Sequence, residues 1–250
     1  MSKTSKLAPL FSLEESVVLS YLSDVNTTLD RFDGAPSVSG GVDVGELRTL
    51  GRKTRRSFVR YLDIVRCLSG AEFRRPVKTG LSDFVERLAA EAERHLRVSI
   101  PVDLDAKDEG LDFICDKERF ARLFFIAASV VARENGARLK ISGRETLCFR
   151  LESKTTATKK LPAEAGASCF DADIGEVKAD DPRMPFFYAE AAAKAHKGDV
   201  VFGSDASSGD IYAEITVPRL CHAPAGALRD NAKLIINIDE IAEEEFSDVL

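Results

Sequence analysis

Asp116-Lys-Glu-Arg-Phe120-Ala-Arg-Leu123-Phe124-Phe-Ile126-Ala-Ala-Ser-Val130-Val-Ala132 is the stretch on which the fold turns. Asp116 stands as an N-cap, a position where a short carboxylate can accept a first-turn N–H, and the spacing predicts a helix to about Glu134. Its Leu123–Ala132 segment is the longest apolar run in the chain. That run is well short of the roughly 18–20 residues a membrane span needs, so no membrane partner is expected.

Working outward, the runs on either side are short and β-like. Val98 to Leu104 alternates, and Phe113-Ile114-Cys115 is a second short strand. Arg138–Ser142 and Thr146–Glu152 flank a Gly143-Arg144-Glu145 turn. Leu81–Leu96 has helical periodicity through Leu81, Phe84, Val85, Leu88 and Ala92, and Pro185–His196 is an Ala-rich helix. Val200–Gly203 and Ile211–Val217 read as strands joined by a Ser/Gly/Asp loop. Helices alternating with strands in this way predict an α/β sandwich, with helices on one face of a mixed sheet. Residues 153–181, rich in Lys, Ala, Gly and Asp, read as a long loop or a poorly ordered segment.

Ahead of this domain the period is different. Val18, Leu22, Val25, Leu29 and Phe32 alternate steps of four and three, drawing an apolar seam on a helix from about Ser12 to Phe32. Ser12 and Glu15 form a capping box, and Asp33-Gly34-Ala35-Pro36 ends the helix. A second helix is expected over Val44–Leu68, its stripe formed by Leu47, Thr54, Phe58, Tyr61, Val65 and Leu68 and its end marked by Ser69-Gly70. Two such helices make an antiparallel hairpin, and two hairpins make a four-helix bundle. The reading is therefore an α+β chain: residues 1–75 a dimerising hairpin, 76–220 an α/β sandwich, and 221–250 an acidic tail with a candidate edge strand over Lys233–Ile238. A homodimer through the hairpin is the expected assembly.

Composition bounds the partners. The chain has 250 residues, 44% apolar and 30% charged, with a net charge of −6 that argues against nucleic acid. Its five cysteines are scattered with no C-x-x-C pair, which excludes a disulfide frame or zinc site and suits a reducing cytoplasm. No apolar segment follows the polar N-terminus, so no secretory signal is expected. Arg48, Arg52, Lys53, Arg55, Arg56 and Arg60 lie within 13 residues, while Glu240, Glu243, Glu244, Glu245 and Asp248 crowd the last 11. Each run reads as a solvated face, or, for the basic one, as a surface that docks an acidic protein.

Over roughly residues 12–218 this order resembles the core of a sensor histidine kinase: a dimerisation and phosphotransfer hairpin, then an ATP-binding domain of the GHKL type. Three matches carry the resemblance. Ser23-Asp24-Val25-Asn26-Thr27-Thr28-Leu29 is similar to the H-E-x-x-T-P-L phosphoacceptor box. Asp116 with Phe120, Leu123 and Phe124 is similar to the start of the N-box helix. Ala195-His196-Lys197-Gly198-Asp199, two strands and Pro218 resemble the family's H-G-G ending.

The chemical positions depart from that pattern. The phosphoacceptor histidine falls on Ser23, whose hydroxyl is a poor nucleophile without a base. The two N-box asparagines fall on Ile126 and Val130, which offer no oxygen to Mg²⁺. The adenine-holding D-x-G-x-G falls at Glu152 and after it with no glycine, and the G2 loop falls on Met184 and Pro185, where amides cannot approach a phosphate. The resemblance thus implies a pseudo-kinase with no catalytic residue, cofactor or metal. Such a protein would work by contact, with Asn26, Thr27, Arg52, Arg55, Arg56 and Arg60 meeting the receiver domain of a response regulator. The competing reading is a phosphotransferase with a relocated acceptor or rebuilt nucleotide site. The former pocket over Ile126 and Val130, edged by Arg122 and Arg133, is expected to be filled by loop 153–181 or by the tail Lys233–Leu250, with an apolar ligand as the other occupant. His196 reads as a packed helix-end residue.

Overall fold

The computed structural model describes residue 56 and residues 59–68, 76–104, 110–132, 136–153, 161–172, 181–220 and 237–246. Most of the expected hairpin, Ser23, Asn26, Thr27, Arg52 and Arg55 included, lies outside them.

Helix α1 (residues 59–68) is the described part of the second hairpin helix. It is followed by β1 (Pro76–Gly80), α2 (Leu81–Leu96), β2 (Val102–Leu104), β3 (Asp112–Asp116), α3 (Lys117–Val131), β4 (Ala137–Ser142) and β5 (Thr146–Ser153). The chain then runs through a short 3-10 turn (Ala163–Gly166), α4 (Met184–Ala195), β6 (Asp199–Ser204), β7 (Ile211–Pro218) and α5 (Ile238–Phe246). Five strands form one mixed sheet in the order β2-β4-β5-β7-β6, and β1 and β3 form a two-stranded ribbon. Only β2–β4 is parallel; the other pairs of the large sheet are antiparallel.

Period 2 sorts the sheet into two faces. Leu139, Ile141, Leu147, Phe149, Leu151, Ala213, Ile215 and Val217 point to the helices and are buried. Their neighbours Lys140, Arg150, Glu152 and Glu214 point away, Lys140 pairing with Glu152 and Arg150 with Glu214 across strands, and Arg150 with Glu152 along β5. Between sheet and helices lies an aromatic cluster. Phe120 of α3 meets Phe113 at 5.1 Å and Phe149 at 5.0 Å edge-on, and His196 at 5.6 Å, geometry that suits the ring quadrupoles.

Within the described residues of the α/β domain the expected helices and strands fall where the periodicities place them, with end shifts of up to three residues; β2 is shorter than its alternating run, and β1 was not among the expected elements. The expected helix Ser12–Phe32 lies outside the described residues. Gly143 holds the β4–β5 turn at φ +97°, where an added Cβ would lie 2.0 Å from the Thr146 carbonyl oxygen. Gly198 lets the end of α4 approach β7, since a Cβ there would lie 2.0 Å from the Thr216 oxygen. One expectation fails at the C-terminus. Ile238 does not end a strand but begins a helix, and residues 238–246 are not a loose acidic tail. Ile238, Ile241, Ala242 and Phe246 recur at helical spacing and are buried in the common core.

Candidate functional site

Ile126 and Val130, the expected nucleotide-pocket positions, lie on α3. Its first turn is fixed by Asp116, whose carboxylate accepts the Arg119 N–H at 3.2 Å. Burial pushes the Asp116 carboxyl up to about 6 against the opposing pull of Arg119. One helical stripe then runs Arg122, Phe125, Ile126, Ser129. Ile126 is 2% exposed and Val130 7%. The Ser129 hydroxyl is committed within the helix, donating to the Ile126 carbonyl at 2.8 Å. This stretch of α3 therefore presents hydrocarbon where a hard cation would need oxygen. Among the described residues no group of three His, Cys, Asp or Glu could hold a metal ion.

The C-terminal helix α5 lies on that stripe. Phe246 stands 5.3 Å from the ring of Phe125 and stacks at 5.7 Å on His95 of α2. Glu245 accepts from Arg122 Nη1 at 2.9 Å and also from Arg60 Nη2 of α1. The Glu245 side chain is 1% exposed. Burial alone would raise its carboxyl; the two guanidinium groups, Arg60 first, overcome this and hold it below the usual carboxylate range.

Two expected docking residues are thereby corrected. Arg56 and Arg60 are 6% and 7% exposed, not solvent-facing. Arg60 and Ile64, the latter 0% exposed, lie one turn apart on a face of α1 that is turned into the α/β domain. Arg60 is held inside by Glu245 instead of being presented to a partner. A second link lies one turn on: Asp63 of α1 accepts from Arg119 at 3.0 Å and 3.4 Å. The two links share i, i+3 spacing on both helices, residues 60 and 63 against 122 and 119.

The other two expected pocket positions, Glu152 and Met184, separate. Glu152 lies on the outer sheet face, accepting from Lys140 and Arg150, each at 2.7 Å; it does not point toward α3, because the inward position on β5 is taken by Leu151. The hydrogen bond from Lys140 is the first cause of its lowered carboxyl pKa. Met184 opens α4 and is 2% exposed, part of the core and far from a phosphate cradle in character. Pro185 follows it at the helix start, where a missing N–H costs nothing.

His196 is 1% exposed. Its Nδ1 lies 2.7 Å from the Ala192 carbonyl oxygen; a carbonyl only accepts, so Nδ1 carries the proton. Burial lowers its pKa to about 4, which agrees with the packing role read from the sequence. Cys67, Cys115, Cys148 and Cys169 are free thiols. Burial raises Cys67, Cys148 and Cys169, which makes them poor nucleophiles. Glu190 binds the Cys169 N–H at 2.7 Å and the Ser168 hydroxyl at 2.9 Å. A surface groove of about 200 Å³ beside Phe186 and Val201 is below the roughly 300 Å³ at which small-molecule sites begin.

Sequence reading missed Asp63, Arg119 and Glu245. For Glu245 a signal existed: Ile238, Ile241, Ala242 and Phe246 mark an amphipathic helix whose buried side includes position 245.

The sequence matches no protein-family model, and no curated protein resembles it. Solved structures do. The histidine kinase AdeS of Acinetobacter baumannii superposes with a TM-score of 0.51 at 12% identity, over 82% of this chain and 97% of that one. Full-length ShkA, solved in complex with AMPPNP, gives 0.60 at 14% identity over 88% of this chain, which spans 47% of that protein. The described domain has the fold of a histidine kinase catalytic/ATPase domain. No described helix is long and apolar enough to cross a membrane.

Proposed function

We propose that this chain is a kinase-like signalling protein that works by contact and not by phosphoryl transfer: a homodimer through the N-terminal hairpin that docks an acidic receiver domain of a response regulator. The observation that carries this reading is the stripe of α3, where Ile126 and Val130 are buried hydrocarbon and α5 lies over Arg122 and Phe125. A Mg·nucleotide would find neither oxygen ligands nor open space there. The docking surface is narrower than the basic run suggests. Arg56 and Arg60 are engaged internally, which leaves Asn26, Thr27, Arg52 and Arg55, beside Ser23 at the acceptor position, as the proposed contact residues. Charge complementarity of this kind acts more on association rate and partner choice than on affinity.

Two measurements test the reading. Full-length protein mixed with Mg·ATP is expected to show no thermal shift and no transfer of ³²P to itself or to a receiver; transfer would install the phosphotransferase reading instead. Receiver domains titrated by calorimetry should bind wild-type chain and lose at least tenfold in affinity with Arg52→Glu plus Arg55→Glu. Unchanged binding in that variant removes the docking surface.

A further inference from the structure

The charge network under α5 is assembled from three distant parts of the chain. Arg60 comes from α1, Arg122 from α3, and Glu245 from a helix that follows the sheet after residues 221–236. Arg60 and Arg122 each donate to a different oxygen of the one carboxylate. Their side chains are 9% and 6% exposed, and that of Glu245 is 1%. Two like charges brought together away from water require an anion between them.

That arrangement is also how proteins grip a free oxyanion: guanidinium groups converging on separate oxygens. Donor capacity remains, because Arg60 Nε is buried with no acceptor among the described residues. Much of the rest of α5's attachment is apolar, through Ile238, Ile241, Ala242 and Phe246, so Glu245 supplies the charge and the hydrocarbon supplies the seat.

We propose that Arg60 and Arg122 form an oxyanion socket which this chain fills in cis with Glu245, so that a phosphoryl-type anion and the C-terminal helix compete for one place. Binding of the anion and release of α5 are then the same equilibrium seen from two sides, and each must shift the other by the same factor. The idea is independent of receiver docking: it concerns what joins α1 to the α/β domain, the tail or a ligand. The anion's source is either inorganic phosphate or the phosphates of a nucleotide held without Mg²⁺.

The test uses the full chain. Amide exchange of α5 is followed in inorganic phosphate and in chloride at equal ionic strength; at ten times the socket's Kd, opening of α5 should rise roughly tenfold. Thermal melting of Glu245→Gln is then recorded with inorganic phosphate and with metal-free ATP. With the counter-charge of Glu245 removed, the two guanidinium groups should give an anion-dependent rise in Tm, and adding Arg122→Gln should remove it. A rise with both anions identifies a general oxyanion site, and a rise with one alone identifies the source. A folded Glu245→Gln that ignores both anions overturns the proposal whatever the exchange data show. If that variant does not fold, the exchange arm decides: unchanged α5 opening in phosphate overturns the proposal, and acceleration supports it.

Discussion

The outer face of the sheet and the space beneath α5 use the same side chains for opposite purposes. On the sheet, Lys140, Arg150, Glu152 and Glu214 form a ladder with distances of 2.7–2.9 Å, and their side chains are 28–46% exposed. Beneath α5, Arg122 meets Glu245 at 2.9 Å with Arg60 on the other oxygen, but here exposure is 1–9%. The geometry is nearly identical and the surroundings are not. In water a pair of charges exchanges one set of good contacts for another. Inside, each partner exists only because the other is present. Distance alone therefore says little about which carboxylate matters, and burial says much.

The sharpest way to break this contrast is Glu245→Ala. It leaves two guanidinium groups facing each other without water and should cost about 3–5 kcal/mol of unfolding free energy, read from the urea midpoint with the slope checked for two-state behaviour. A loss under about 1 kcal/mol would place the interior network in the same class as the surface ladder. The further expectation is that the loss falls when Arg60 or Arg122 is neutralised at the same time, because the second change removes the stranded charge.

The legibility of the two regions differs for the same reason. The strand expected over Thr146–Glu152 is β5, one residue longer, and periods of three and four in Leu81–Leu96 announced α2 to the residue. These are local patterns, and burial follows from them. Arg60 and Glu245 are 185 positions apart, and no periodicity links them. Each sits in a run of like-charged neighbours, Arg55 and Arg56 on one side and Glu243 and Glu244 on the other, so each read as part of a solvated face. The aliphatic identities of Ile126 and Val130 were legible because they stand at expected positions, and the tail Lys233–Leu250 was one of the two covers expected there. That it comes as a helix over Ile238–Phe246 with Glu245 set between Arg60 and Arg122 was not legible, since it depends on how distant elements pack.

Buried titratable groups sharpen the contrast with a pH signature. Asp116 is held up at about 6 by burial, so the folded state binds a proton that the unfolded chain has released; stability from this group falls as pH rises from about 4 through 6. His196 is held down at about 4, so the unfolded chain binds the extra proton and stability rises with pH from about 4 to 6.5. The two slopes oppose each other over nearly the same window. Asp116→Asn, which keeps the cap, should expose the rising slope, and His196→Gln the falling one. Each should reach up to about 2–3 kcal/mol across the window, because a tenfold change in proton affinity is worth roughly 1.4 kcal/mol. Urea midpoints at pH 4, 5, 6 and 7 would show it. Parallel profiles for both variants and the parent would remove these two groups from the acid response.

The smallest effect is the most diagnostic for the sheet. Glu152 accepts from both Lys140 and Arg150, and Arg150 also reaches Glu214 at 2.9 Å and lies over the Tyr212 ring at 4.2 Å. Glu152→Gln removes the charge and keeps an acceptor for one of its partners. Arg150 keeps Glu214 and the ring, and Lys140, its side chain 46% exposed, turns to water. The loss should be about 0.2–1 kcal/mol and should shrink toward zero in molar salt, because screening at that concentration reaches within about 3 Å. Glu245→Ala measured in the same molar salt, as sodium chloride, should keep most of its cost, since diffuse screening does not reach the space that Phe246, Phe125 and the two arginines close and chloride lacks the two oxygens those arginines grip. If the two variants respond to salt alike, the distinction between the faces is one of position only. If they diverge, the same Arg–Glu contact stands shown as solvated decoration in one place and as a structural joint in the other.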